Sequence, residues 1–261
     1  MIEDTPFATK WALGTEFSDI DLNETLRIAA ERPAEAEFAY ICTPNAVHVV
    51  NYARNEPRFR AGIDGGWLNI CDSRVMARLV QAAFGIKLKL ALGSDLTTAL
   101  LQDVVRKDDP ITVIGGDAVL TERLREQFKL QRLELYSPPF GFIKDPVAVQ
   151  KCVDFVHAHP ARFVFLACGA PQSELLGLRI REAGGATGLG LCIGSALLFT
   201  TGLTKRAPEI WQRLGLEWLH RLLGDPGRMS RRLLRDQLPL LRLVARFSFN
   251  AELRRTQGKP R

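Results

Sequence analysis

The amino-acid sequence predicts an α/β fold with a Rossmann-like, mostly parallel sheet covered by helices on both faces. Short apolar runs alternate with stretches of helical periodicity over roughly 150 residues, a rhythm typical of parallel strands joined by helices. Apolar residues make up 46% of the chain and charged residues 25%, as in ordinary folded proteins. An Arg-rich helical C-terminal appendage is predicted to follow the sheet domain.

The apolar runs are the predicted strands. They span residues 37–43, 67–72, 88–92, 111–116, 133–137, 162–169 and 188–194. Most are followed by a helical stretch, as residues 117–128 and 145–159 illustrate. Disorder is expected only at the ends, in residues 1–15 and in the tail from Thr256.

The positive charge of the chain is concentrated at its C-terminal end. The net charge is +6, yet residues 205–261 alone contain 14 Lys and Arg against 5 Asp and Glu. After Gly202 the pattern becomes helical and Arg-rich, with breaks at residues 224–227 and at Pro239. We therefore predict two domains, a Rossmann-like catalytic domain at 1–203 and a basic helical appendage at 204–261 that meets an anionic partner.

Apolar and basic side chains alternate within this appendage. A helical stripe of tryptophan and leucine is followed by arginines at helical spacing on one face, namely Arg228, Arg231, Arg232 and Arg235. Aromatic residues among arginines suit an anionic membrane surface, where each basic residue contributes roughly 1 kcal/mol. A solvated basic helix without a ligand is the alternative. Nucleic acid is disfavoured because no recognised nucleic-acid module precedes the appendage.

Several other function classes are disfavoured by composition. The five cysteines are widely spaced without a CxxC motif, which predicts buried free thiols in a reducing cytosol. The four histidines form no HExxH motif, so no bound metal is expected. No apolar stretch reaches the roughly 18 to 20 residues of a membrane span, and the N-terminus does not resemble a secretion signal. A cytoplasmic protein is therefore expected.

Ligands of such a sheet bind at the carboxyl ends of the strands. The turns predicted there begin with small or capping residues and are expected to ring one mouth. They are residues 43–45, 72–73, 93–95, 115–117 and 169–172. Their glycines form neither GxGxxG nor GxxxxGK[ST], which disfavours a dinucleotide-binding dehydrogenase and a P-loop nucleotidase. Small residues ahead of helix N-termini still suit a diphosphate.

Two of these turns allow two interpretations each. Thr43 followed by Pro44 is typical of a helix start with Thr43 as N-cap, but Thr43 and Asn45 also suit contacts to a sugar hydroxyl or a phosphate. Asp72 could cap the helix predicted from Ser73. It could equally accept a proton from a nucleophilic hydroxyl.

A series of motifs extends over most of the chain, from about residue 38 to 235. It comprises TPN at 43–45, Asp72, GSDL at 93–96, IGG at 114–116, GAPQSE at 169–174 and an Arg-rich block at 205–232. In this order the motifs resemble the WecG/TagA/CpsF glycosyltransferases, family 26 of that enzyme class. The resemblance implies a metal-independent, cofactor-free, inverting enzyme that moves a sugar from a UDP-sugar to a sugar on polyprenyl diphosphate. It also implies an appendage that docks on the inner face of the cell membrane and completes the site.

The resemblance further implies roles for individual residues. Asp72 is expected to be the general base that deprotonates the acceptor hydroxyl. Cations that stabilise the leaving diphosphate are expected at Arg221, Arg228 and Arg231, since arginine has a planar fork suited to phosphate. The expected substrate contacts are Thr43, Asn45, Gly93, Ser94, Asp95, Gly115, Gly116, Gly169, Pro171, Gln172 and Glu174.

Departures from the family pattern indicate which sugar is transferred. Ser73 replaces a usual glycine, Leu90 a frequent arginine, and Leu198 lies where an acidic residue is common. These favour transfer of a hexose such as glucose in exopolysaccharide assembly, with N-acetylmannosaminyl or -uronyl transfer as the alternative. A catalytically silent membrane-tethered adaptor and a nucleotide-binding oxidoreductase are hypotheses from other classes. Apolar residues of the appendage could also mediate self-association into a homo-oligomer.

Overall fold

The computed structural model describes residues 7–205, 208, 211 and 237–258. Its centre is a parallel sheet of six strands in the order β4-β3-β8-β7-β5-β6. The strands are β3 (Ala39–Cys42), β4 (Leu68–Asn69), β5 (Pro110–Ile114), β6 (Arg132–Tyr136), β7 (Phe163–Leu166) and β8 (Leu189–Cys192). An antiparallel hairpin of β1 (Thr9–Ala12) and β2 (Thr15–Ser18) precedes this sheet.

Helices connect the strands in the described part of the chain. In chain order they are α1 (Leu22–Glu31), α2 (Ala46–Ala53), α3 (Pro57–Asp64), α4 (Arg74–Phe84), α5 (Gly93–Ala99), α6 (Ala118–Phe128), α7 (Pro146–Ala158), α8 (Gln172–Ala183), α9 (Ala196–Thr200), α10 (Leu238–Phe249) and α11 (Ala251–Arg255). A π-helical turn, Leu100–Val104, continues α5, and a 3-10 turn, Phe142–Lys144, precedes α7.

Apolar side chains cover both faces of the sheet, because successive strand residues point to opposite sides. On one face, residues such as Ile41, Val113 and Phe165 pack against α1, α5, α6 and α9. On the other face, Tyr40 and Val164 pack against α7 and α8. The predicted α/β fold with helices on both faces is therefore confirmed.

One predicted strand, residues 88–92, is wrong. The segment forms a single parallel bridge, Cys71 with Leu90, and one further hydrogen bond from Ala91 N–H to the Cys71 carbonyl at 3.2 Å. The neighbouring strand β4 has only two residues, so it does not provide a continuous row of backbone hydrogen-bonding groups with which this segment could pair. Leu88 and Ala91 are nevertheless buried, at 6% and 0% exposure.

The two chain ends that the structure describes are ordered, contrary to the prediction. Residues 9–15 belong to the hairpin, and the C-terminal residues lie against it. The Gly258 N–H donates to the Trp11 carbonyl at 2.8 Å, and the Leu13 N–H donates to the Gln257 side chain at 2.7 Å. These long-range backbone contacts hold both ends in place.

The helix α10 packs into the sheet domain. It begins at Leu238, next to the predicted break at Pro239, a residue that favours the first turn of a helix. Leu240, Leu243 and Phe247 are buried in a cluster with the hairpin, α2 and α4. The described end of the predicted appendage is thus part of the folded body, while the boundary at 203/204 stays a prediction.

Candidate active site

The strand order assigns the ligand crevice of the sheet to the place between the carboxyl ends of β3 and β8. From β3 the chain proceeds outward to β4, whereas β5 to β8 occupy the other side of β3. The strand order therefore reverses at this point, which is where doubly wound sheets bind ligands. The Thr43 hydroxyl bridges the crevice by donating to the Cys192 carbonyl at 2.9 Å.

Asp72 lies at the meeting point of three turns beside this crevice. Its backbone N–H donates to the Pro44 carbonyl, and one oxygen of its carboxylate accepts the Gly93 N–H, both at 3.0 Å. Asp72 does not cap the following helix. Ser73 does so, because its hydroxyl accepts the Met76 N–H at 3.2 Å. The capping interpretation of Asp72 is therefore wrong, and its carboxylate connects β4 to the start of α5.

Thr43 and Asn45 lie on the turn after β3. The cap predicted at Thr43 is wrong, since α2 begins at Ala46 and Asn45 is its N-cap, accepting the Val47 N–H at 3.1 Å. The Thr43 hydroxyl is used across the sheet instead. Thr43 also faces Gly93, where an added Cβ would lie 3.3 Å from the Thr43 hydroxyl. The turns that carry Thr43, Asn45, Asp72 and Gly93 thus lie together.

The first turn of α5 carries Ser94 and Asp95 to the same place. Asp95 forms an ion pair with Arg74 at 3.6 Å, and both side chains are about 28% to 29% exposed. Sequence reasoning missed Arg74. A cation two positions after the predicted general base, on the first turn of α4, was the signal that could have indicated it.

The turn after β7 lies farther along the mouth. It contains Gly169 in the left-handed region (φ +77°) and a cis peptide bond between Ala170 and Pro171. With its amide nitrogen turned inward, the Gln172 side chain donates to the Gly169 and Ala170 carbonyls at 3.2 and 2.8 Å. Three strand spacings of about 4.8 Å place this turn roughly 14 Å from the end of β4.

Gly115 and Gly116 follow β5, one strand beyond. Four strand spacings place them roughly 19 Å from Asp72, so these glycines do not join the cluster around that residue. Gly115 is buried with φ +103°, and an added Cβ would lie 2.9 Å from the Ala167 carbonyl. The close packing of Gly115 against the turn after β7 therefore explains why a glycine is required at this position. Gly116 is exposed at the mouth.

Glu174, a predicted substrate contact, lies behind the turn after β3. It is only 3% exposed, and one carboxylate oxygen lies 3.1 Å from Nε2 of His48, itself 3% exposed. With the proton on Nε2, the other ring nitrogen of His48 accepts the Asn45 N–H at 3.3 Å. Glu174 therefore reaches the crevice through His48 and Asn45 rather than directly.

Burial determines the state of the thiols near the site. It raises the pKa of Cys71, next to Asp72, to about 12, and that of Cys168 to about 12. The pKa values of Cys42 and Cys192 are also raised by burial. Since the thiolate is the reactive form, these cysteines stay protonated and unreactive at neutral pH. All five cysteines are free, as predicted, and four are buried.

The predicted diphosphate contacts Arg221, Arg228 and Arg231 lie outside the described residues. Within the part that is described, no group of three or more His, Cys, Asp and Glu side chains is arranged to hold a metal ion. No helix in residues 7–205 or 237–258 is long and apolar enough to cross a membrane.

The chain matches the model of a known protein family. The model of the glycosyl transferase WecG/TagA/CpsF family matches residues 11–254, a range that includes every turn of the mouth and most of the C-terminal segment. This match covers far more than half of the chain. The protein therefore belongs to the WecG/TagA/CpsF family and is a glycosyltransferase of cell-surface glycan synthesis.

Proposed function

We propose that the protein is a metal-independent, inverting hexosyltransferase that moves a hexose from a UDP-sugar to a saccharide carried on polyprenyl diphosphate. The observation that carries this proposal is the position of Asp72. Its carboxylate lies beside the crevice, between the turns after β3 and β4 and the N-terminus of α5. A proton acceptor at the crevice is what activation of an acceptor hydroxyl requires.

In the proposed reaction, Asp72 takes the proton of the acceptor hydroxyl as its oxygen attacks the anomeric carbon. The bond to the UDP oxygen breaks on the opposite side of that carbon, so the configuration inverts. The hydrogen bond from the Gly93 N–H fixes the carboxylate on the rigid start of α5, and a base held in place needs no reorganisation during the reaction.

Sugar contacts are proposed around this carboxylate. Thr43 already donates its hydroxyl hydrogen to Cys192, so the hydroxyl oxygen is oriented to accept from a sugar hydroxyl. Asn45, Ser94 and Asp95 border the same space, and the ion pair of Asp95 with Arg74 fixes the Asp95 side chain. These side chains are short and polar, as sugar binding requires.

The nucleotide is proposed to extend along the mouth toward Gly169, Gln172 and Gly116. The roughly 14 to 19 Å between these turns and Asp72 leaves room for a donor longer than a single sugar. Negative charge that develops on the departing UDP needs cations or fixed donors. We assign that role to the guanidinium groups of Arg221, Arg228 and Arg231.

The acceptor and the location follow from the same proposal. A lipid-linked acceptor requires the enzyme to work at a membrane, and the 14 basic residues of the segment 205–261 suit the anionic inner face of the cell membrane. Glucose is the proposed hexose because the chain departs from the family pattern at Ser73, Leu90 and Leu198. An N-acetylmannosaminyl or -uronyl donor is the second candidate.

The proposal is tested by UDP release from a panel of UDP-sugars, with and without a polyprenyl-diphosphate saccharide acceptor and in the presence of a chelator. We expect release from one UDP-hexose that requires the acceptor and survives chelation. Release that needs a divalent metal would contradict metal independence. If no UDP is released with any donor and acceptor, the non-catalytic adaptor is favoured. Preferential release from an N-acetylmannosaminyl donor would correct the hexose assignment.

A further inference from the structure

His48 and Glu174 form a buried polar pair behind the turn after β3. Both side chains are 3% exposed, and one carboxylate oxygen of Glu174 lies 3.1 Å from Nε2 of His48. The second carboxylate oxygen is also buried and has no hydrogen-bond partner among the residues that the structure describes. An apolar pair of similar volume would fill this space at no loss of stability, so the polar pair calls for another explanation.

The packing around the pair fixes the imidazole ring. The rings of His48 and Phe59 meet edge to face, with their centroids 5.7 Å apart. The helices α3 and α8 approach so closely that a Cβ added at Gly62 would lie 2.6 Å from the Cβ of Glu174. Such tight packing leaves the backbone of Glu174 no room to shift. Glu174 and Phe59 therefore hold the His48 ring in one place.

The other nitrogen of the ring, Nδ1, contacts Asn45. It lies 3.3 Å from the backbone nitrogen of Asn45 and 3.1 Å from the oxygen of its side chain. When Nδ1 carries no proton it accepts the backbone N–H, and when it is protonated it donates to the side-chain oxygen. His48 therefore restrains Asn45 in both protonation states.

The side-chain oxygen of Asn45 has a second partner, because it accepts the Val47 N–H at 3.1 Å as the N-cap of α2. This bond fixes which end of the amide is the oxygen, since a backbone N–H bonds only to an acceptor. The amide nitrogen of Asn45 donates to none of the described residues, and the residue is partly exposed. The group that Asn45 presents to a ligand is therefore its NH2, a hydrogen-bond donor.

We propose that His48, held by Glu174, is a positioning residue that orients the Asn45 amide nitrogen toward an oxygen of a sugar bound in the crevice. The proposal rests on the proposed function, because the crevice must bind a sugar substrate. On the same turn, the Thr43 hydroxyl already donates to Cys192 and accepts from a ligand, whereas Asn45 donates. Together the two side chains match sugar hydroxyl groups, which both donate and accept.

Two substitutions of similar size at His48 separate positioning from stability. His48→Asn and His48→Leu both remove the ring and its contact with Glu174, but asparagine keeps a polar group where Nδ1 was. His48→Leu should raise the KM for a sugar substrate about five- to tenfold, as expected for losing one oriented hydrogen bond, and His48→Asn by less than about twofold. A rise that is equal in the two variants, or absent in His48→Leu, would overturn the proposal.

Urea unfolding shows whether the change in KM merely follows stability. Leucine suits a buried position better than asparagine does, so His48→Leu should be at least as stable as His48→Asn although it binds the sugar more weakly. The KM is measured separately for UDP-glucose and for the polyprenyl-diphosphate saccharide, at a temperature where every variant is folded. The substrate whose KM rises identifies the sugar that Asn45 contacts.

A double-mutant cycle tests whether His48 acts through the Asn45 amide. Asn45→Ser keeps an N-cap side chain and removes the amide. Adding His48→Leu to Asn45→Ser should then raise the KM no further, because the group that His48 orients is already gone. Effects that multiply in the double variant would show that His48 acts independently of the amide and would overturn the proposal.

Motion of the amide tests the positioning without any substrate. The order parameter of the Asn45 side-chain N–H groups, measured by nitrogen NMR relaxation, should be high in the wild type and His48→Asn and lower in His48→Leu. Equal order parameters in the three proteins would overturn the proposal. The expected difference together with no UDP release from any donor would refute the proposed hexosyl transfer and keep the role of His48 in orienting Asn45.

Discussion

One carboxylate oxygen of Asp72 accepts the backbone N–H of Gly93 at 3.0 Å, although the two residues are 21 positions apart in the chain. The bond joins the end of β4 to the first residue of α5. It shows that the carboxylate is held by tertiary structure and not by its own helix, where Ser73 is the cap. The consequences of this arrangement can be measured.

The substitution Asp72→Asn should remove the proposed general base and leave the fold intact. The amide oxygen of the new side chain can still accept the Gly93 N–H, so the fold and donor binding should be retained. Turnover should fall by about 10² or more because the general base is lost. Acceptor-dependent UDP release measures turnover, and the melting temperature with and without UDP-sugar measures binding.

Asp145→Asn is the matched control for this substitution. Asp145 also lies at the carboxyl edge of the sheet, and its carboxylate caps α7 by accepting the Val147 N–H at 2.9 Å. Asparagine is an equally good N-cap, so activity should be close to that of the wild type. Near-normal turnover in Asp72→Asn would remove Asp72 from the mechanism.

The buried pair of His48 and Glu174 should contribute to stability. Glu174→Ala leaves the Nε2–H group of His48 without an acceptor in the interior and should lower the free energy of unfolding by about 3 kcal/mol, the upper end for an unsatisfied buried donor. Glu174→Gln keeps an acceptor oxygen and should cost about 1 kcal/mol. Urea unfolding measures both values.

The same pair should also influence the crevice, because His48 contacts Asn45. Glu174→Gln, which still holds His48 in place, should preserve most of the transfer activity, whereas Glu174→Ala should lower it even at temperatures where the protein is fully folded. If Glu174→Ala at low temperature transfers sugar as fast as the wild type, the pair has only a structural role.

The helix α10 should be essential to the folded body. Phe247 is 5% exposed and Phe249 is 91% exposed. Substitution of the exposed Phe249 is therefore a control for substitution of the buried Phe247 in the same helix. Phe247→Ala should lower the free energy of unfolding by about 3 to 5 kcal/mol, and Phe249→Ala by less than about 0.5 kcal/mol. Similar unfolding curves for the two variants would contradict the packing of α10 on α2 and α4.

Alkaline pH should destabilise the protein through its buried thiols. Burial raises the pKa of Cys71 from its ordinary value near 9 to about 12. Between these values the unfolded chain has lost the proton that the folded chain keeps. The free energy of unfolding should therefore fall as the pH rises above about 9, by about 1.4 kcal/mol per pH unit for each such thiol.

Urea midpoints at pH 7.5, 9 and 10 measure this dependence, and Cys71→Ala is the variant to compare. Because alanine cannot titrate, the variant should lose stability less steeply than the wild type over this range, whatever its stability at pH 7.5. Parallel pH dependences of the wild type and Cys71→Ala would show that Cys71 ionises as easily when folded as when unfolded.

The sequence by itself determined the architecture and the family. Apolar runs of strand length separated by helical periods predicted six of the strands, because burial on both faces of a parallel sheet requires uninterrupted apolar residues. The turns that follow the strands contained the polar residues of the mouth. Their motifs, read in order, indicated the family to which the chain belongs.

Predictions from short sequence patterns failed where a side chain could form a hydrogen bond either within its own turn or with a residue distant in the sequence. Thr43 suited a helix cap but bonds to Cys192, and Asp72 suited a cap but bonds to Gly93. Glu174, predicted to contact substrate, is buried against His48. Only the tertiary structure decided these cases, because spacing along the chain reports neighbours within one element and carries no information about which turns meet across the sheet.

The ends of the chain illustrate the same division. Charge and helical period after Gly202 predicted a basic appendage, and composition could not reveal that Leu240, Leu243 and Phe247 fill a cluster shared with the hairpin and α4. The sequence of an amphipathic helix shows that the helix has an apolar face, but it does not show which part of the protein covers that face. The packing partner is determined by the shape of the assembled domain, and for α10 that partner is the sheet domain itself.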